Sequence, residues 1–383
     1  MKKTEPLLTL LSKRLSALFI AIVCATGPLP ARGHRDSQVL LSQPLTIKWR
    51  YDSDQTSNLT PATDASMIYV PLTGGVLVSL SAADGKLSWK AEAGGEFSAA
   101  PVVDERCVFA ASQFSDSSQG HVYGTLRALS KSTGVTLWMR TLPAPLKGGL
   151  AVSDQALFAG SVDGRVYAFD KRTGLTFWVN QYSEGFSSQP ALSNDLVYFG
   201  GENGAVMALD QKSGQLSWSY RAHGAIHGPI VNGGAIYFGS SDGFVYALSE
   251  LQHKLLWRWR TGAAVQSVAL VDGGVLAASL DNFAYLLSRN KGSLVWRRLL
   301  PGRLSSQPVT APDGALFTPL SSDNAIVLSL RDGKPANALA LGEENSSSAA
   351  PVTANDLVLI TTAHGLLAFA PPRAKTQVAA PNR

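Results

Sequence analysis

The sequence predicts an all-β protein, an eight-bladed β-propeller in which every blade is a four-stranded antiparallel sheet. The first observation is a phrase that recurs with a period near 40 residues: "VDGRVYAFDKRTGLTFW" at 162–178 returns at 202–218 as "ENGAVMALDQKSGQLSW" and at 241–257 as "SDGFVYALSELQHKLLW". The second is that each copy consists of short apolar runs between glycine-containing turns, without helical periodicity. Such units cannot bury an apolar face alone, so neighbouring copies must stack, as propeller blades do.

Four strand segments are predicted in each repeat. One copy reads "PALS", "LVYFGG", "AVMALDQ" and "LSWSYR", which are rich in β-branched and aromatic residues. The third observation is a tryptophan slot on the last segment, filled by Trp49, Trp89, Trp138, Trp178, Trp218, Trp257 and Trp296, and by Leu339 in the eighth unit. Seven indole rings at one register suit packing between units better than they suit a cofactor, so we interpret them as blade-to-blade contacts.

The two ends of the repeat region indicate how the ring closes. The segment 45–51 predicts an outer strand with no hairpin partner before it, while "HGLLAFA" at 364–370 ends the last unit without its tryptophan strand. We therefore expect a propeller over 45–370 whose N-terminal strand completes the last blade, which removes two exposed sheet edges.

Export is predicted from the N-terminus. Basic residues in the first 14 positions precede an apolar run at 15–27, so residues 1–31 are interpreted as a signal peptide with cleavage after Ala31. The alternative is a lipoprotein signal that ends before Cys24, which would then carry the lipid. Residues 32–44 are predicted to be a linker.

The rest of the composition limits the classes of function. Cys107 is the one cysteine outside the leader, so no disulfide framework is expected. The formal charge of +5 is concentrated in the leader and in the tail 371–383, which is predicted to be disordered, and the body between them is nearly neutral. A near-neutral body lacks the basic footprint of a nucleic-acid-binding protein.

The best-formed repeats, "AFDKRTGLTFW" at 168–178 and "ALDQKSGQLSW" at 208–218, read Ala-x-Asp-x-x-Thr/Ser-Gly-x-x-x-Trp. This pattern resembles the repeat of pyrroloquinoline-quinone (PQQ) enzymes and their cofactor-free relatives, and a bare exported ring of this size resembles the BamB family of outer-membrane-protein assembly factors. The resemblance implies a non-catalytic periplasmic scaffold at the inner face of the outer membrane. Its implied partners are the barrel-inserting subunit of the BamA type and unfolded outer-membrane clients.

The same resemblance suggests partner-binding residues. In the family, loops that enter two neighbouring innermost strands contact the partner, one with a Leu-Arg-Gly-like segment and the next with acids. The matching residues here are Leu146 and Lys147 in "APLKGG" and Glu184 in "YSEGFSSQP". Exposed strand edges are a second docking surface, to which a client or partner strand could be added.

Two alternatives of other classes remain open, a PQQ-dependent dehydrogenase and a ligand-sensing propeller. The bare blades and the lack of adjacent cysteines argue against the quinone enzyme, so we expect no catalytic residue and no cofactor. Residues in one slot, Gln189, His227, Gln266 and Gln307, should ring one mouth of the channel. They are candidates for binding a small ligand or peptide, although small and polar residues also simply suit a wetted axis.

Three further motifs have simple interpretations. "GSSDG" at 239–243 matches a hydrolase elbow in letters, but its strand-turn-strand context predicts a hairpin turn. His223 and His227 lie in a non-helical connection without an evident third ligand, so no metal site is expected. The segment 113–124 lengthens one blade and predicts a mobile surface hairpin or a partner-specific contact.

Overall fold

The computed structural model describes residues 39–56, 58–116, 120–343 and 345–372. They form eight antiparallel sheets of four strands each, arranged as the blades of one ring, together with a single 3₁₀ turn at Thr73–Gly75. The predicted fold class is confirmed. The predicted signal peptide, Cys24 and the tail from 373 onward lie outside the described residues. None of the described residues belongs to a helix with the length and apolar character needed to span a bilayer.

The two inner strands of each blade lie nearest the axis of the ring. The innermost strands are β2 (Ala62–Thr63), β6 (Glu96–Val103), β10 (Leu146–Val152), β14 (Ala191–Ser193), β18 (Ile226–Asn232), β22 (Val265–Val271), β26 (Val309–Ala311) and β30 (Val352–Ala354). Their hairpin partners are β3 (Met67–Leu72), β7 (Cys107–Asp116), β11 (Ala156–Ser161), β15 (Leu196–Gly200), β19 (Ala235–Ser240), β23 (Gly274–Ser279), β27 (Gly314–Phe317) and β31 (Leu357–Thr362).

The two outer strands complete each blade. The third strands are β4 (Val76–Ser81), β8 (His121–Ser130), β12 (Arg165–Asp170), β16 (Ala205–Asp210), β20 (Phe244–Ser249), β24 (Phe283–Ser288), β28 (Asn324–Ser329) and β32 (Gly365–Ala370). The outermost strands are β5 (Leu87–Glu92), β9 (Thr136–Leu142), β13 (Thr176–Gln181), β17 (Leu216–Arg221), β21 (Leu255–Arg260), β25 (Leu294–Leu299), β29 (Pro335–Ala340) and β1 (Thr46–Asp52). Blade 1 is β2–β5, and the numbering follows the chain to blade 8, which is β30, β31, β32 and β1.

The ring closes through the two ends of the repeat region, as the sequence predicts. Strand β1 pairs antiparallel with β32, and Trp49 lies opposite Ala368. The residues just before β1 also pack, because Val39 and Leu41 are buried in the cluster between blades 7 and 8. The backbone N–H groups of Leu41 and Ser42 donate to the carboxylate of Asp313 at 3.0 and 2.8 Å.

The apolar core lies between neighbouring blades, and the recurring tryptophans cover its outer side. Six of the seven indole N–H groups donate to a backbone carbonyl in the next blade at 2.8–3.1 Å. Trp138, for example, donates to the carbonyl of Lys171, and its ring lies where a Cβ on Gly174 would come within 2.5 Å. Gly174 also has a φ of +71°. This contact therefore requires glycine both for its positive φ and for the absence of a Cβ beside the ring.

Two units depart from this contact. The eighth tryptophan slot is occupied by Asn337, which pairs with Val327 as the tryptophans pair with their third strands, and the expectation for Leu339 is wrong by two positions. The Asn337 amide donates to the carbonyls of Leu41 and Gln43, because the chain before β1 replaces the usual turn there. In blade 5, His253 takes the glycine position with a φ of +56° and stacks on Trp218 at 4.8 Å.

The inserted hairpin extends the ladder of blade 2. Strands β7 and β8 are ten residues long, and their pairing continues to Asp116 opposite His121. The rings of Phe114 and Tyr123 stack at 5.2 Å between centroids. The Phe114 ring also packs against the connection at Gly94 and Gly95, so the stem of the hairpin is anchored to the blade.

Candidate functional site

A central cavity of about 540 Å³ opens where the innermost strands begin. Gln189, His227, Gln266 and Gln307 all line this cavity, together with serine, proline and glycine residues from the same slot of other blades. The structure therefore brings together the four residues that the repeat register places at one mouth of the channel. Residues at the same position of successive repeats lie at the same place in successive blades. For this reason the sequence alone could predict which residues meet at the channel mouth.

Two of the glutamines hold neighbouring blades together. Gln189 Nε2 donates to the carbonyl of Leu150 at 3.0 Å, and Gln307 Nε2 donates to the carbonyl of Val268 at 3.3 Å. Both bonds span 39 residues and connect the start of one innermost strand to the preceding blade. Gln266 is half-buried and its side chain makes no such bond within the described part of the chain, so its amide is free to meet a ligand.

The imidazole of His227 contacts a serine that sequence analysis assigned to a turn. His227 Nε2 lies 2.8 Å from Ser241 Oγ, and burial lowers the pKa of this histidine, which favours the neutral ring. The neighbouring Asp242 does not orient the histidine, because its carboxylate accepts from the Tyr246 hydroxyl at 2.7 Å and from the backbone N–H of His223. Within the described part of the chain no acid is hydrogen-bonded to the His227 ring, so the serine and histidine form an incomplete triad.

The three residues suggested for partner binding occupy different environments. Leu146 is fully buried, and Lys147 is exposed at the start of β10 beside the cavity-lining Gly148. The Glu184 carboxylate is buried, where it accepts from the backbone N–H of Asn203 at 2.9 Å and from Arg221 at 3.1 Å. Lys147 thus presents its charge to solvent, whereas Glu184 fixes the connection between blades 3 and 4 to blade 4. Their role in partner binding stays a prediction.

Arg221 is the residue of this rim that sequence analysis missed. Its side chain is 60% exposed although it pairs with Glu184, so a guanidinium faces solvent on the same rim as Lys147. Arg221 ends β17, and Glu184 lies 37 residues earlier in the connection before blade 4. The sequence gives no signal of this pair, because the pairing depends on how that connection folds against the blade.

The donor set of the cavity does not fit PQQ, the cofactor that this type of repeat implies. PQQ is a tricarboxylate, yet the described residues that line the cavity include no lysine, arginine, aspartate or glutamate. There is accordingly no cation for the carboxylates and no carboxylate to hold a calcium ion. Across the described residues no cluster of three metal-ligating side chains occurs, and Cys107 is a buried free thiol whose pKa is raised by burial.

Comparison with solved structures shows the fold. BamB from Moraxella catarrhalis superposes with a TM-score of 0.73 at 18% identity, covering 86% of this chain and 98% of that one. The computationally designed Ika8 protein gives 0.73 at 14% identity, covering 85% and 99%. A europium-containing methanol dehydrogenase gives 0.70 at 13% identity, covering 82% and 84%.

Comparison of sequences shows the family. No curated protein matches the sequence. A family model described as "Outer membrane protein assembly factor BamB" matches residues 38–124, 122–227 and 221–381, which together span nearly the whole propeller. The match agrees with the resemblance carried by the Ala-x-Asp-x-x-Thr/Ser-Gly-x-x-x-Trp units, and the chain belongs to the family of the outer membrane protein assembly factor BamB.

Proposed function

We propose that this protein is a non-catalytic periplasmic scaffold that assists the insertion of β-barrel proteins into the outer membrane. It acts at the inner face of that membrane by binding the barrel-inserting subunit of the BamA type. The single observation that carries the proposal is the family match, which runs from residue 38 to residue 381 without a long gap.

The geometry of the candidate site supports a contact surface more than a reaction centre. Two channel-mouth glutamines are used in blade-to-blade bonds, and among the residues that the structure describes no acid orients the Ser241–His227 pair. The rim instead presents two cations to solvent, Lys147 and the Arg221 guanidinium. A partner loop with acidic residues would match this rim.

Affinity purification tests the proposal. Tagged full-length protein, recovered from gently solubilised envelopes, should bring down the barrel-inserting subunit in stoichiometric amount. Lys147→Glu should reduce that recovery at least fivefold, since it places a like charge opposite an acidic partner surface. Lys90→Glu, on an exposed outer strand of blade 1, is the matched control and should leave recovery unchanged. Recovery of the wild type without any assembly component would contradict the proposal.

A second candidate, a ligand-sensing propeller, is favoured by one observation, the free amide of Gln266 on a 540 Å³ cavity. Thermal unfolding with and without PQQ plus calcium, combined with a dye-reduction assay, separates this candidate and the quinone enzyme from the scaffold. The donor set predicts no change in midpoint and no dye reduction. Saturable stabilisation would support a ligand site, and dye reduction would support the dehydrogenase.

A further inference from the structure

The second half of blade 5 and blade 6 carry an unbalanced positive charge. Residues 250–303 contain eight lysines and arginines and three acids, a net charge of +5. The rest of the propeller, 45–249 and 304–370, contains 16 basic and 23 acidic side chains, a net charge of −7. The near-neutral total of the propeller therefore conceals two regions of opposite sign.

Six of these eight cations are exposed on the outermost strands or in the turns and connections next to them. We call this set the basic surface; it comprises Lys254, Arg258, Arg260, Lys291, Arg297 and Arg303. Arg289 instead donates to the carbonyl of Val271 at 3.0 Å, and Arg298 donates to a blade 7 carbonyl at 2.8 Å. Among the ion pairs of the described residues, none involves a member of the basic surface.

The three acids of this region do not neutralise the basic surface. Glu250 accepts from the Tyr198 hydroxyl at 2.9 Å, and Asp281 accepts from the Tyr285 hydroxyl at 2.6 Å. Asp272 lies exposed in the turn between β22 and β23 and forms no ion pair with a described residue. The six exposed charges are therefore available to an anionic partner.

Two of the arginines are held in place by aromatic rings. The Arg258 guanidinium lies 4.9 Å from the centre of the Phe244 ring, and the Arg297 guanidinium lies 5.3 Å from that of Phe283. Each ring limits the freedom of a side chain that stays exposed, which lowers the entropy lost on binding. The planar fork of N–H donors on an arginine matches the oxygen atoms of a phosphate group.

Exposed apolar side chains lie between these cations. On each of the two outermost strands, the residue before the buried tryptophan is apolar and the residue after it is an arginine. The most exposed apolar side chains, between 52% and 86% exposed, are Leu251, Leu256, Val295 and Leu299. At a membrane interface, cations meet the headgroups while apolar side chains enter the acyl boundary. A polyanion in water would leave the leucines exposed, so an anionic bilayer fits both kinds of side chain.

We infer that the basic surface binds a bilayer that carries anionic phospholipids, with Arg258 and Arg297 on phosphate oxygens and the neighbouring Leu256 and Val295 at the acyl boundary. The inference rests on the proposed function only for the choice of membrane, the inner face of the outer membrane. The outermost strands lie at the periphery of the ring and the channel mouth lies at its axis. Lipid contact through blades 5 and 6 therefore leaves the channel-mouth rim open to the barrel-inserting subunit.

Vesicle flotation tests the inference. The protein used begins at residue 32, after the predicted leader, because all eight blades and the closing strand β1 lie beyond that point and because Cys24 is then absent. The wild type should float with vesicles of equal parts phosphatidylglycerol and phosphatidylcholine and should not float with phosphatidylcholine alone. Arg258→Glu/Arg297→Glu should bind the mixed vesicles at least tenfold more weakly, since each change replaces an attraction to lipid phosphates by a repulsion.

The matched control is Arg50→Glu/Lys90→Glu, which makes the same change of charge at the position after the tryptophan in blades 8 and 1. Residues 46–54 and 84–92 of those blades hold equal numbers of acidic and basic side chains, so vesicle binding should fall less than twofold. A second variant, Leu256→Ser/Val295→Ser, keeps every charge and should weaken binding about threefold, because it removes the apolar contact with the acyl boundary. Circular dichroism should be identical throughout, because every changed side chain is exposed.

Several outcomes would overturn the inference. One is equal vesicle binding by Arg258→Glu/Arg297→Glu and its matched control, and another is unchanged binding after Leu256→Ser/Val295→Ser. A third is a wild type that binds polyglutamate but no vesicles, with the polyglutamate binding lost in the arginine variant. That result would make the basic surface a docking site for an acidic protein segment.

Co-purification separates this inference from the proposed function. Arg258→Glu/Arg297→Glu should still recover the barrel-inserting subunit from solubilised envelopes while vesicle binding is lost. Loss of the subunit with unchanged vesicle binding would overturn the inference and assign the basic surface to the subunit. If the wild type recovers no subunit, the proposed function fails, and flotation still decides whether the basic surface binds lipid.

Discussion

The outermost strands of blades 2 and 3 and those of blades 5 and 6 share a frame, the buried tryptophan at one register, but they differ in the residues that they expose beside it. Both pairs bury a tryptophan on each outermost strand, and all four of these rings lie at one register. At the positions one before and one after each tryptophan, blades 2 and 3 expose only apolar side chains, namely Leu137, Met139, Phe177 and Val179. At the same positions, blades 5 and 6 combine Leu256 and Val295 with Arg258 and Arg297. Each arginine lies over an aromatic ring of its own blade, at 4.9 Å for Arg258 on Phe244 and 5.3 Å for Arg297 on Phe283.

This difference shows that packing limits which residues the buried positions of the repeat can hold, whereas it does not limit the exposed positions. A buried slot must contact the next blade and is restricted to one shape, since a packed core tolerates little change in volume. An exposed slot has no such neighbour, so blades can carry different chemistry without disturbing the ring. Four measurements can break or sharpen this comparison.

The largest effect is expected from the shared frame. Trp138→Ala and Trp257→Ala should each lower the free energy of unfolding by about 4 kcal/mol, because each removes a buried ring and an indole hydrogen bond to the next blade. Urea titration followed by circular dichroism measures both values. A cost in blade 5 less than half of that in blade 2 would show that the frame is not equivalent in the two regions.

The next effect concerns the residue under the tryptophan. Gly174→Ala should cost about 3 kcal/mol, because an alanine there has an unfavourable positive φ and its Cβ would lie 2.5 Å from the Trp138 ring. His253 already occupies the corresponding position against Trp218, so His253→Gly should change stability by less than about 1 kcal/mol. The same urea titration applies, and a neutral Gly174→Ala would contradict the assigned contact.

A smaller effect depends on pH. Burial opposes ionisation of Asp104, but the backbone N–H groups of Arg106 and Cys107 and the Lys171 ammonium at 3.1 Å more than compensate and lower the pKa of this carboxyl. A lowered folded-state pKa stabilises the protein above the unfolded pKa of about 3.9, and this stabilisation is lost as pH falls through the folded value.

At the same position of blade 5, the uncharged Asn232 accepts from Arg289 at 3.3 Å and does not titrate. Asp104→Asn should therefore cost about 1 kcal/mol at pH 7 and reduce the loss of stability between pH 5 and pH 2. Asn232→Ala should leave the slope of stability against pH unchanged. Parallel slopes for wild type and Asp104→Asn in acid would refute the role of this pair.

The smallest change in stability is expected at the exposed slots themselves. Leu137→Ser/Phe177→Ser and Arg258→Ser/Arg297→Ser should each alter the free energy of unfolding by less than about 0.5 kcal/mol. Each variant should change its retention on a different column. Compared with the wild type, the first variant should elute earlier from a phenyl column, and the second should elute earlier from a cation exchanger. Equal shifts of both variants on both columns would show that the two edges are not chemically distinct.

The amino-acid sequence by itself determined the eight-bladed ring, its closure by the N-terminal strand and the set of residues at the channel mouth. Each repeat encodes one blade, and residues at equivalent repeat positions occupy equivalent places in their blades. Aligning the repeats therefore predicts which residues lie together. The apolar slots of blades 2 and 3 can also be read directly from the sequence once the tryptophan register is known.

Only the tertiary structure decided what those residues contact. It placed Asn337 in the eighth tryptophan slot, because the chain before β1 supplies the carbonyls that its amide meets. It buried Glu184 against Asn203 and Arg221, and it brought His227 to Ser241. Such contacts join strands and connections that lie 14 to 296 residues apart in the chain. They depend on how these segments approach each other in space, which no local pattern of residues records.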